Sequence, residues 1–359
     1  MSTKALTFHC HCRSAHFTLT VPTSSLPLRA HLCHCTLCRT THGTTASYHA
    51  AVPEGIKPSF IAPSSWDSLT AYSPPNSGAT LYFCSTCGCQ VGGTNVHGIW
   101  DAVVSIVEGG NDDGEGGALW VIDEHIYTEK GSTGDGGIAE LLPAIGKREV
   151  RIWNPEDRGT EFPDTPNAGA ARKDDTLLAQ CNCGGVSFTI SRPRESFINS
   201  PANSKGWIHP SDKTKWLALL DVCDDCRLLT GAHVSTWLFV PIDHITPPLP
   251  ESLSIGSMKR YDSTPGSVIR TFCGTCGATV LCFYGKRGGI VDVATGILRA
   301  PEGVMLREWA VWRTARLGFA EDGMKYDRAF TEALEEGAKE WGRRVHGGVV
   351  DFPGGPADD

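Results

Sequence analysis

Short stretches of alternating apolar and polar residues recur along the chain. Residues 17–21 and 186–190 alternate with a period of two, which is typical of strands buried on one face. Residues 47–52 and 237–240 each run up to a proline and predict two further short strands. Turn-forming clusters such as residues 73–78 separate these segments. The pattern predicts a mainly β fold with compact, open sheets.

One segment has helical periodicity instead. Phe330, Leu334 and Trp341, together with Ala333 and Ala338, recur at spacings of three and four and lie on one stripe of a helix. The sequence therefore predicts a helix near the C-terminus.

The cysteines of the first half recur in the second half at nearly constant offsets of 171, 188 and 189 residues. Cys10 and Cys12 correspond to Cys181 and Cys183 at an offset of 171 residues. Cys35 and Cys38 correspond to Cys223 and Cys226 at an offset of 188. Cys84 and Cys87 correspond to Cys273 and Cys276 at an offset of 189. Gly43 with Gly231 and Phe83 with Phe272 follow the same offsets. The chain is therefore interpreted as a tandem duplication of one domain.

The repeat and the composition between its copies suggest domain limits. We expect a first domain over residues 1–142 and a second over residues 177–345. Residues 143–176 contain four prolines and a charged run and are expected to be a linker. Residues 346–359 are rich in Gly, Pro and Asp and are expected to be disordered.

Composition narrows the function classes. With 359 residues and a net charge of −8, the protein lacks the basic surface that a nucleic-acid binder needs, and the run Lys147–Arg151 is too short to supply one, so no nucleic-acid partner is expected. No apolar run reaches the length of a membrane span, and no secretory signal is evident, so a cytoplasmic protein is expected. Fifteen cysteines in a reducing compartment favour metal ligation over disulfides.

Two sets of four cysteines have the spacing of closed metal sites. A Cys-x-Cys pair far in sequence from a Cys-x-x-Cys pair supplies the four thiolates that tetrahedral Zn²⁺ prefers. The predicted sites are Cys10, Cys12, Cys84 and Cys87 in the first domain, and Cys181, Cys183, Cys273 and Cys276 in the second. We interpret both as structural zinc sites.

A third cysteine run of the first domain is different in kind. Cys33, Cys35 and Cys38 can hold one ion but leave its fourth position open, which is typical of catalytic zinc. Arg39 follows directly and could lower the pKa of the thiols, bind a substrate carboxylate, or be a surface arginine.

Two histidines beside this run could close the site. His34 and His42 could each supply a fourth ligand, although a histidine in a loop is more often solvated.

The equivalent run of the second domain is incomplete. Asp221 stands where the first copy has Cys33, followed by Cys223 and Cys226. A Cys₂Asp zinc site, a bare dithiol and an empty remnant are all open, and we expect a site that is reduced or lost. Asp224 and Asp225 add negative charge that would repel an anionic thiol.

These motifs resemble the glutathione-dependent formaldehyde-activating enzyme family, also called the CENP-V/GFA domain, of the Mss4-like fold. The second copy carries three of the family's motifs: the opening one at Cys181–Phe188, the Phe-Cys-x-x-Cys-Gly motif at Phe272–Gly277, and the later one at Asp292–Leu298. The first copy carries the central motif at Cys33–Arg39 and the Phe-Cys-x-x-Cys-Gly motif at Phe83–Gly88. The resemblance covers about residues 5–140 and 177–320. Each copy departs from the pattern somewhere: Arg13 replaces the opening glycine in the first, and the second lacks the first central cysteine.

The resemblance implies tandem zinc-bound β-sheet domains, with catalytic zinc at Cys33, Cys35 and Cys38. It also implies glutathione as cosubstrate, a small aldehyde such as formaldehyde, and an S-hydroxymethylglutathione product. The first hypothesis is therefore a zinc-dependent carbon–sulfur lyase with about three zinc ions per chain. The second is a non-catalytic scaffold or protein-interaction module. A third, thiol redox chemistry, would need Cys89 or Cys282, which lie outside the repeat and are better explained as small buried hydrophobes.

Overall fold

The computed structural model describes residues 2–112, 117–128, 136–154, 175–203 and 206–352. These residues form a mainly β protein with several sheets and a C-terminal helix, as the sequence predicts. Among the described helices, none is long and apolar enough to cross a membrane.

The elements of the first half alternate short strands with turns. In chain order they are β1 (Thr3–His9), β2 (His16–Pro22), β3 (Leu28–Cys33), α1 (Thr36–His42), β4 (Ser47–Ala51), β5 (Ser59–Phe60), β6 (Leu69–Tyr72), β7 (Thr80–Cys84), β8 (Gln90–Thr94), β9 (Trp100–Val103), β10 (Trp120–Ile126), β11 (Ala144–Ile145), β12 (Arg148–Glu149) and β13 (Arg151–Trp153).

The second half repeats this order and adds helices. Its elements are β14 (Thr176–Gln180), β15 (Ser187–Ser191), α2 (Glu195–Ile198), β16 (Trp216–Asp221), α3 (Asp224–Thr230), β17 (Ser235–Pro241), β18 (Ile245–Thr246), β19 (Met258–Thr264), β20 (Val268–Cys273), β21 (Thr279–Tyr284), β22 (Ile290–Ala294), β23 (Ala310–Trp312), α4 (Ala320–Tyr326) and α5 (Arg328–His346).

The two copies share one sheet topology. The first contains a small sheet of order β1-β2-β5 and a large sheet of order β13-β10-β3-β4-β9-β8-β7-β6. The second contains the corresponding orders β14-β15-β18 and β19-β20-β21-β22-β17-β16-β23. Strand β10 pairs in parallel with β3, and β23 pairs in parallel with β16 at the equivalent place, but β13 extends the first sheet by one further strand. The duplication is therefore structural as well as sequential.

The strands and the helix predicted from periodicity are confirmed. Residues 17–21 lie in β2 and residues 187–190 in β15, while residues 47–51 and 237–240 of the proline-flanked runs lie in β4 and β17. The striped segment forms α5, whose apolar stripe is buried. The domain limits stay a prediction: residues 155–174 of the expected linker and 353–359 of the expected tail lie outside the described residues, and β13 pairs with β10.

Backbone groups at equivalent positions join the two copies reciprocally. The His11 N–H donates to the carbonyl oxygen of Leu228 at 3.1 Å, and the Asn182 N–H donates to that of Thr40, also at 3.1 Å. His11 and Asn182 are equivalent positions of the repeat, as are Thr40 and Leu228. The same pair of positions thus makes contact twice, once in each direction between the copies. Such reciprocal contacts are typical of a two-fold interface.

Close backbone approach extends this symmetry to the ends of α1 and α3. Gly43 (φ 80°) and Gly231 (φ 72°) end these helices in the left-handed region. A Cβ on Gly43 would overlap the carbonyl oxygen of Thr279, and one on Gly231 would come within 2.5 Å of that of Gln90. Both helices therefore abut the opposite copy, and glycine is required for the turn and for the contact.

Helix α5 lies against the first copy although it follows the second in sequence. Its Asp327 carboxylate accepts hydrogen bonds from Trp120 Nε1 at 3.1 Å and from the Asn111 side chain at 3.0 Å. Further along, Gly337 packs on the backbone of Leu141, where a Cβ would overlap the carbonyl oxygen. The helix thus connects the two halves through buried polar and backbone contacts.

The contact between Gly337 and the Leu141 backbone predicts whether an alanine at position 337 stabilises or destabilises the protein. Gly337→Ala is expected to destabilise the protein by about 1–3 kcal/mol through overpacking, although alanine favours a helix by about 1 kcal/mol over glycine. Thermal denaturation measures the change. Gly348→Ala, at a glycine with no neighbouring atom within 4 Å, is the matched control and is expected to be neutral. A melting temperature raised by Gly337→Ala would contradict the docking of α5.

Candidate metal centres and functional site

The first four-cysteine set is assembled from two distant turns. Cys10 and Cys12 follow β1, while Cys84 ends β7 and Cys87 lies in the turn after it. All four Sγ atoms lie within 4.8 Å of one another, and the Cys12 sulfur is 3.5 Å from those of Cys10 and Cys84. The predicted grouping is thus present in the fold.

The second set repeats this geometry. Cys181, Cys183, Cys273 and Cys276 also place their Sγ atoms within 4.8 Å of one another, and the Cys183 sulfur is 3.5 Å from those of Cys181 and Cys273.

Backbone donors to sulfur recur as well. The Ala15 N–H donates to Cys10 Sγ and the Val186 N–H donates to Cys181 Sγ, each at 3.3 Å and at equivalent positions of the repeat. Such donors stabilise thiolates over neutral thiols.

The sulfur spacing fits a metal better than a disulfide. All fifteen cysteines are free, and separations of 3.5 Å are far from the roughly 2.0 Å of an S–S bond. A zinc tetrahedron with Zn–S bonds of about 2.3 Å has edges of about 3.8 Å. Four buried or half-buried thiolates would also repel one another without a cation. Both sets could therefore hold a metal ion and would link the small sheet of each copy to its large sheet.

The third centre lies at the junction of β3 and α1. The Sγ atoms of Cys33, Cys35 and Cys38 lie within 4.8 Å of one another, with Cys33 and Cys35 sulfurs 3.4 Å apart. Cys35 is also the N-cap of α1, because its sulfur accepts a hydrogen bond from the Cys38 N–H at 3.3 Å. Across the described parts of the chain, no fourth His, Cys, Asp or Glu ligand joins this group. The structure thus brings together the three sulfurs that the sequence grouped, and the open fourth position stays a prediction.

The cysteine thiols of this centre differ in how readily they lose their protons. Hydrogen bonds with Cys35 and then Cys38, followed by burial, raise the pKa of Cys33 well above its usual range. Hydrogen bonds with Cys33 and then Cys38 hold the pKa of Cys35 well below it, and the charge of Arg39 lowers it further. Cys35 is thus the first of the three to ionise.

Arg39 is not a surface arginine. Its side chain is buried, Nε donates to the His34 carbonyl oxygen at 3.1 Å, and Nη2 lies 3.5 Å from Thr36 Oγ1. A buried guanidinium beside the three sulfurs offsets their negative charge, which is one of the two functional roles that the sequence left open for it.

His34 and His42 are buried but do not complete the sulfur group. His125 Nε2 donates to the Leu142 carbonyl oxygen at 2.9 Å, so its Nδ1 accepts from His34 Nε2, also at 2.9 Å. His42 Nδ1 donates to the Cys38 carbonyl oxygen at 2.9 Å. Burial lowers the pKa of His42 to about 4, which keeps its ring neutral near pH 7. Neither histidine belongs to the group of ligand atoms around Cys35.

The equivalent centre of the second copy is tied together by hydrogen bonds. Asp221, Cys223 and Cys226 place their ligand atoms within 4.8 Å of one another. Asp221 Oδ1 accepts from the Cys223 N–H at 2.9 Å, and Oδ2 accepts from the Cys226 thiol at 3.4 Å. Nη1 of the buried Arg270 donates to Cys226 Sγ at 3.3 Å. The guanidinium of Arg270 thus lies at a position where the first copy has Leu81. The expected reduction or loss of this metal site stays a prediction.

Sequence reasoning missed Arg270 and the histidines around the first centre. Arg270 could have been found by continuing the repeat, because it stands opposite Leu81 when Cys84 is aligned with Cys273. The density of histidine between residues 31 and 49 was also visible. Cys89 and Cys282, in contrast, are both buried, which agrees with their interpretation as small hydrophobic residues.

Comparison with known proteins gives one match. A family model described as glutathione-dependent formaldehyde-activating enzyme matches residues 5–130 and 211–313, which together make up more than half of the chain. A search of curated proteins finds no match.

Metal content and stability should separate the two kinds of centre. We expect about three zinc ions per chain in the wild type. Cys84→Ser is expected to lose about one zinc and to lower the melting temperature, because metal binding in a site that links two sheets is part of the folding free energy. Cys38→Ser should also lose about one zinc but should shift the melting temperature less, because its ligands lie within one β–α segment. Elemental analysis and thermal denaturation measure both effects.

Two outcomes would change this assignment. Two or fewer zinc ions in the wild-type protein would remove the Cys33–Cys38 centre from the list of metal sites. Four would add the Asp221–Cys226 centre.

Proposed function

The chain belongs to the glutathione-dependent formaldehyde-activating enzyme family, and we propose that it is a zinc-dependent carbon–sulfur lyase acting on a glutathione-like thiol and formaldehyde or a related small aldehyde. The observation that carries the proposal is the first-copy centre: three sulfurs, Cys33, Cys35 and Cys38, with no fourth ligand among the described residues. A closed four-cysteine site leaves no position for a substrate, whereas this arrangement does.

The reaction is an addition to a carbonyl group. The thiol loses its proton, its sulfur forms a bond to the aldehyde carbon, and the π electrons of the C=O bond move to oxygen. That oxygen takes up a proton, which gives the hydroxymethyl thioether, and the reverse reaction cleaves the same carbon–sulfur bond. No oxidant or reductant is needed.

Cys33, Cys35 and Cys38 would hold the metal. Zinc bound there supplies a Lewis-acidic position that favours the thiolate form of a substrate thiol at neutral pH. A zinc ligand must be deprotonated, and Cys35 is the first of the three thiols to ionise, because hydrogen bonds with Cys33 and Cys38 lower its pKa.

Arg39 contributes positive charge from a fixed position. Its hydrogen bond to the His34 carbonyl oxygen holds the guanidinium beside the three sulfurs. There it offsets the negative charge of the thiolates and of an alkoxide developing on the aldehyde oxygen.

His31 lies opposite His49 in the pairing of β3 with β4. Burial lowers the pKa of His31 to about 4, so its ring is neutral near pH 7.

A non-catalytic scaffold is the alternative, and one observation favours it. Cys33 and Cys35 are only 4% and 8% exposed, which is typical of structural metal sites as well as of closed active sites. Activity, and not metal binding alone, therefore decides between the two functions.

A matched pair of variants tests the proposal. Cys35→Ser is expected to reduce the aldehyde–thiol reaction to the uncatalysed rate while the domains stay folded. Serine is a good N-cap, so α1 should keep its first hydrogen bond. Exchange between formaldehyde and its glutathione adduct, followed by NMR, measures the rate, and circular dichroism measures folding.

The control is the equivalent cysteine of the second copy. Cys223 caps α3 by accepting from the Cys226 N–H at 3.2 Å, so Cys223→Ser makes the same chemical change in the same local structure. It should leave the rate unchanged. Loss of activity in Cys223→Ser alone would move the reaction to the second copy, and unfolding of Cys35→Ser would show a structural centre.

A further inference from the structure

A cavity of about 320 Å³ opens beside the second-copy centre. Asp221, Cys223 and Cys226 form one wall, Arg270 and Arg287 lie on others, and aromatic side chains complete it. The aromatic residues are Trp237, Tyr284 and Phe319. The cavity is therefore large enough for a small organic molecule and offers it both apolar surface and cationic groups.

Arg287 has unused hydrogen-bond donors in this wall. Its side chain is only 1% exposed, and Nη1 donates to Asp292 Oδ1 at 2.5 Å. Nε and Nη2 are buried without a partner. These two groups form one edge of the guanidinium plane, the edge that binds a carboxylate through two parallel hydrogen bonds.

Arg270 leaves a donor unused in the same way. Its Nη1 donates to Cys226 Sγ at 3.3 Å, but its buried Nε has no partner. Buried N–H groups without acceptors are costly, so two such arginines on one cavity indicate a missing acceptor.

These arginines are not part of the repeated pattern. Leu81 occupies the position of Arg270 in the first copy, and the loop 95–99, which corresponds to the loop of Arg287, contains no arginine. The second copy also has Trp237 where the first has His49. The cationic and aromatic walls therefore occur in the copy that has Asp221 in place of Cys33.

We propose that the second copy contains a separate binding pocket for a small organic monocarboxylate, whose carboxylate is bound by Arg287 and Arg270 and whose planar apolar body packs on Trp237. The pocket is distinct from the Cys33–Cys38 centre and goes beyond the carbon–sulfur chemistry proposed there.

The surrounding charges select one negative charge over two. Asp292 pairs with Arg287, and the buried Asp221 and the half-buried Asp322 lie on the same cavity, so the two arginines supply no excess of positive charge. The other two carboxylates of the wall have partners of their own, because Asp224 pairs with Arg227 at 2.6 Å and Asp225 Oδ1 lies 3.3 Å from His11 Nε2. Phosphate and dicarboxylates are therefore disfavoured relative to a monocarboxylate.

The full-length protein with its native metal content is titrated with phenylacetate, and binding is measured by calorimetry and by tryptophan fluorescence. Phenylacetamide, which has the same shape without the charge, and inorganic phosphate are the comparison ligands. We expect saturable binding of phenylacetate and affinities weaker by roughly 10- to 100-fold for phenylacetamide, because the lost hydrogen bonds are charge-assisted. Equal affinity for acid and amide, no saturable binding of phenylacetate, or tighter binding of phosphate would overturn the proposal.

Variants test the residues. Arg270→Leu introduces the residue that the first copy has at this position and is expected to weaken phenylacetate binding roughly tenfold or more. Arg287→Gln should do the same, but it leaves the buried Asp292 without its partner, so its folding must be checked first. Arg260→Gln, on the exposed side of β19, is the control and should bind as the wild type does. Unchanged phenylacetate affinity in a folded Arg270→Leu protein would contradict the proposal.

Discussion

The protein depends on sulfur atoms that the fold brings together from distant turns. In each copy a Cys-x-Cys turn after the first strand meets a Cys-x-x-Cys turn of the large sheet, with sulfurs 3.5 Å apart. Buried sulfurs at this spacing would be stabilised by a bound cation, so on the account proposed here metal binding and sheet docking would be one event. The three-cysteine group at Cys33–Cys38 lies on the large sheet that this event would position.

The second constraint is the near-symmetric contact between the copies. Reciprocal hydrogen bonds, such as those from His11 and Asn182, place the helix of each sulfur centre against the opposite copy. The two centres nevertheless differ. In the second copy Asp221 stands where the first has Cys33, Arg270 lies against Cys226, and a cavity lined by arginine and tryptophan stands beside them. The duplication therefore separates two candidate sites of different chemistry.

The ligand sets could be predicted because metal geometry imposes spacing on the sequence, and the duplication showed each spacing twice. The strands β2 and β15 and helix α5 could be predicted because one face of each is buried. The contact between the copies could not, since it rests on backbone groups and on glycines such as Gly43 that carry no periodic pattern. Arg270 and Arg287 were missed because arginine is usually exposed, and their burial depends on tertiary contacts.

The most direct test of this account is hydrogen exchange, followed by mass spectrometry, on protein freed of metal by a chelator under reducing conditions. The account predicts that strands adjoining the sulfur turns, β1 and β7 in one copy and β14 and β20 in the other, lose protection together when metal is removed and regain it when zinc is restored. Unchanged protection in protein shown by elemental analysis to be metal-free would contradict it, because the sheets would then be held by packing alone.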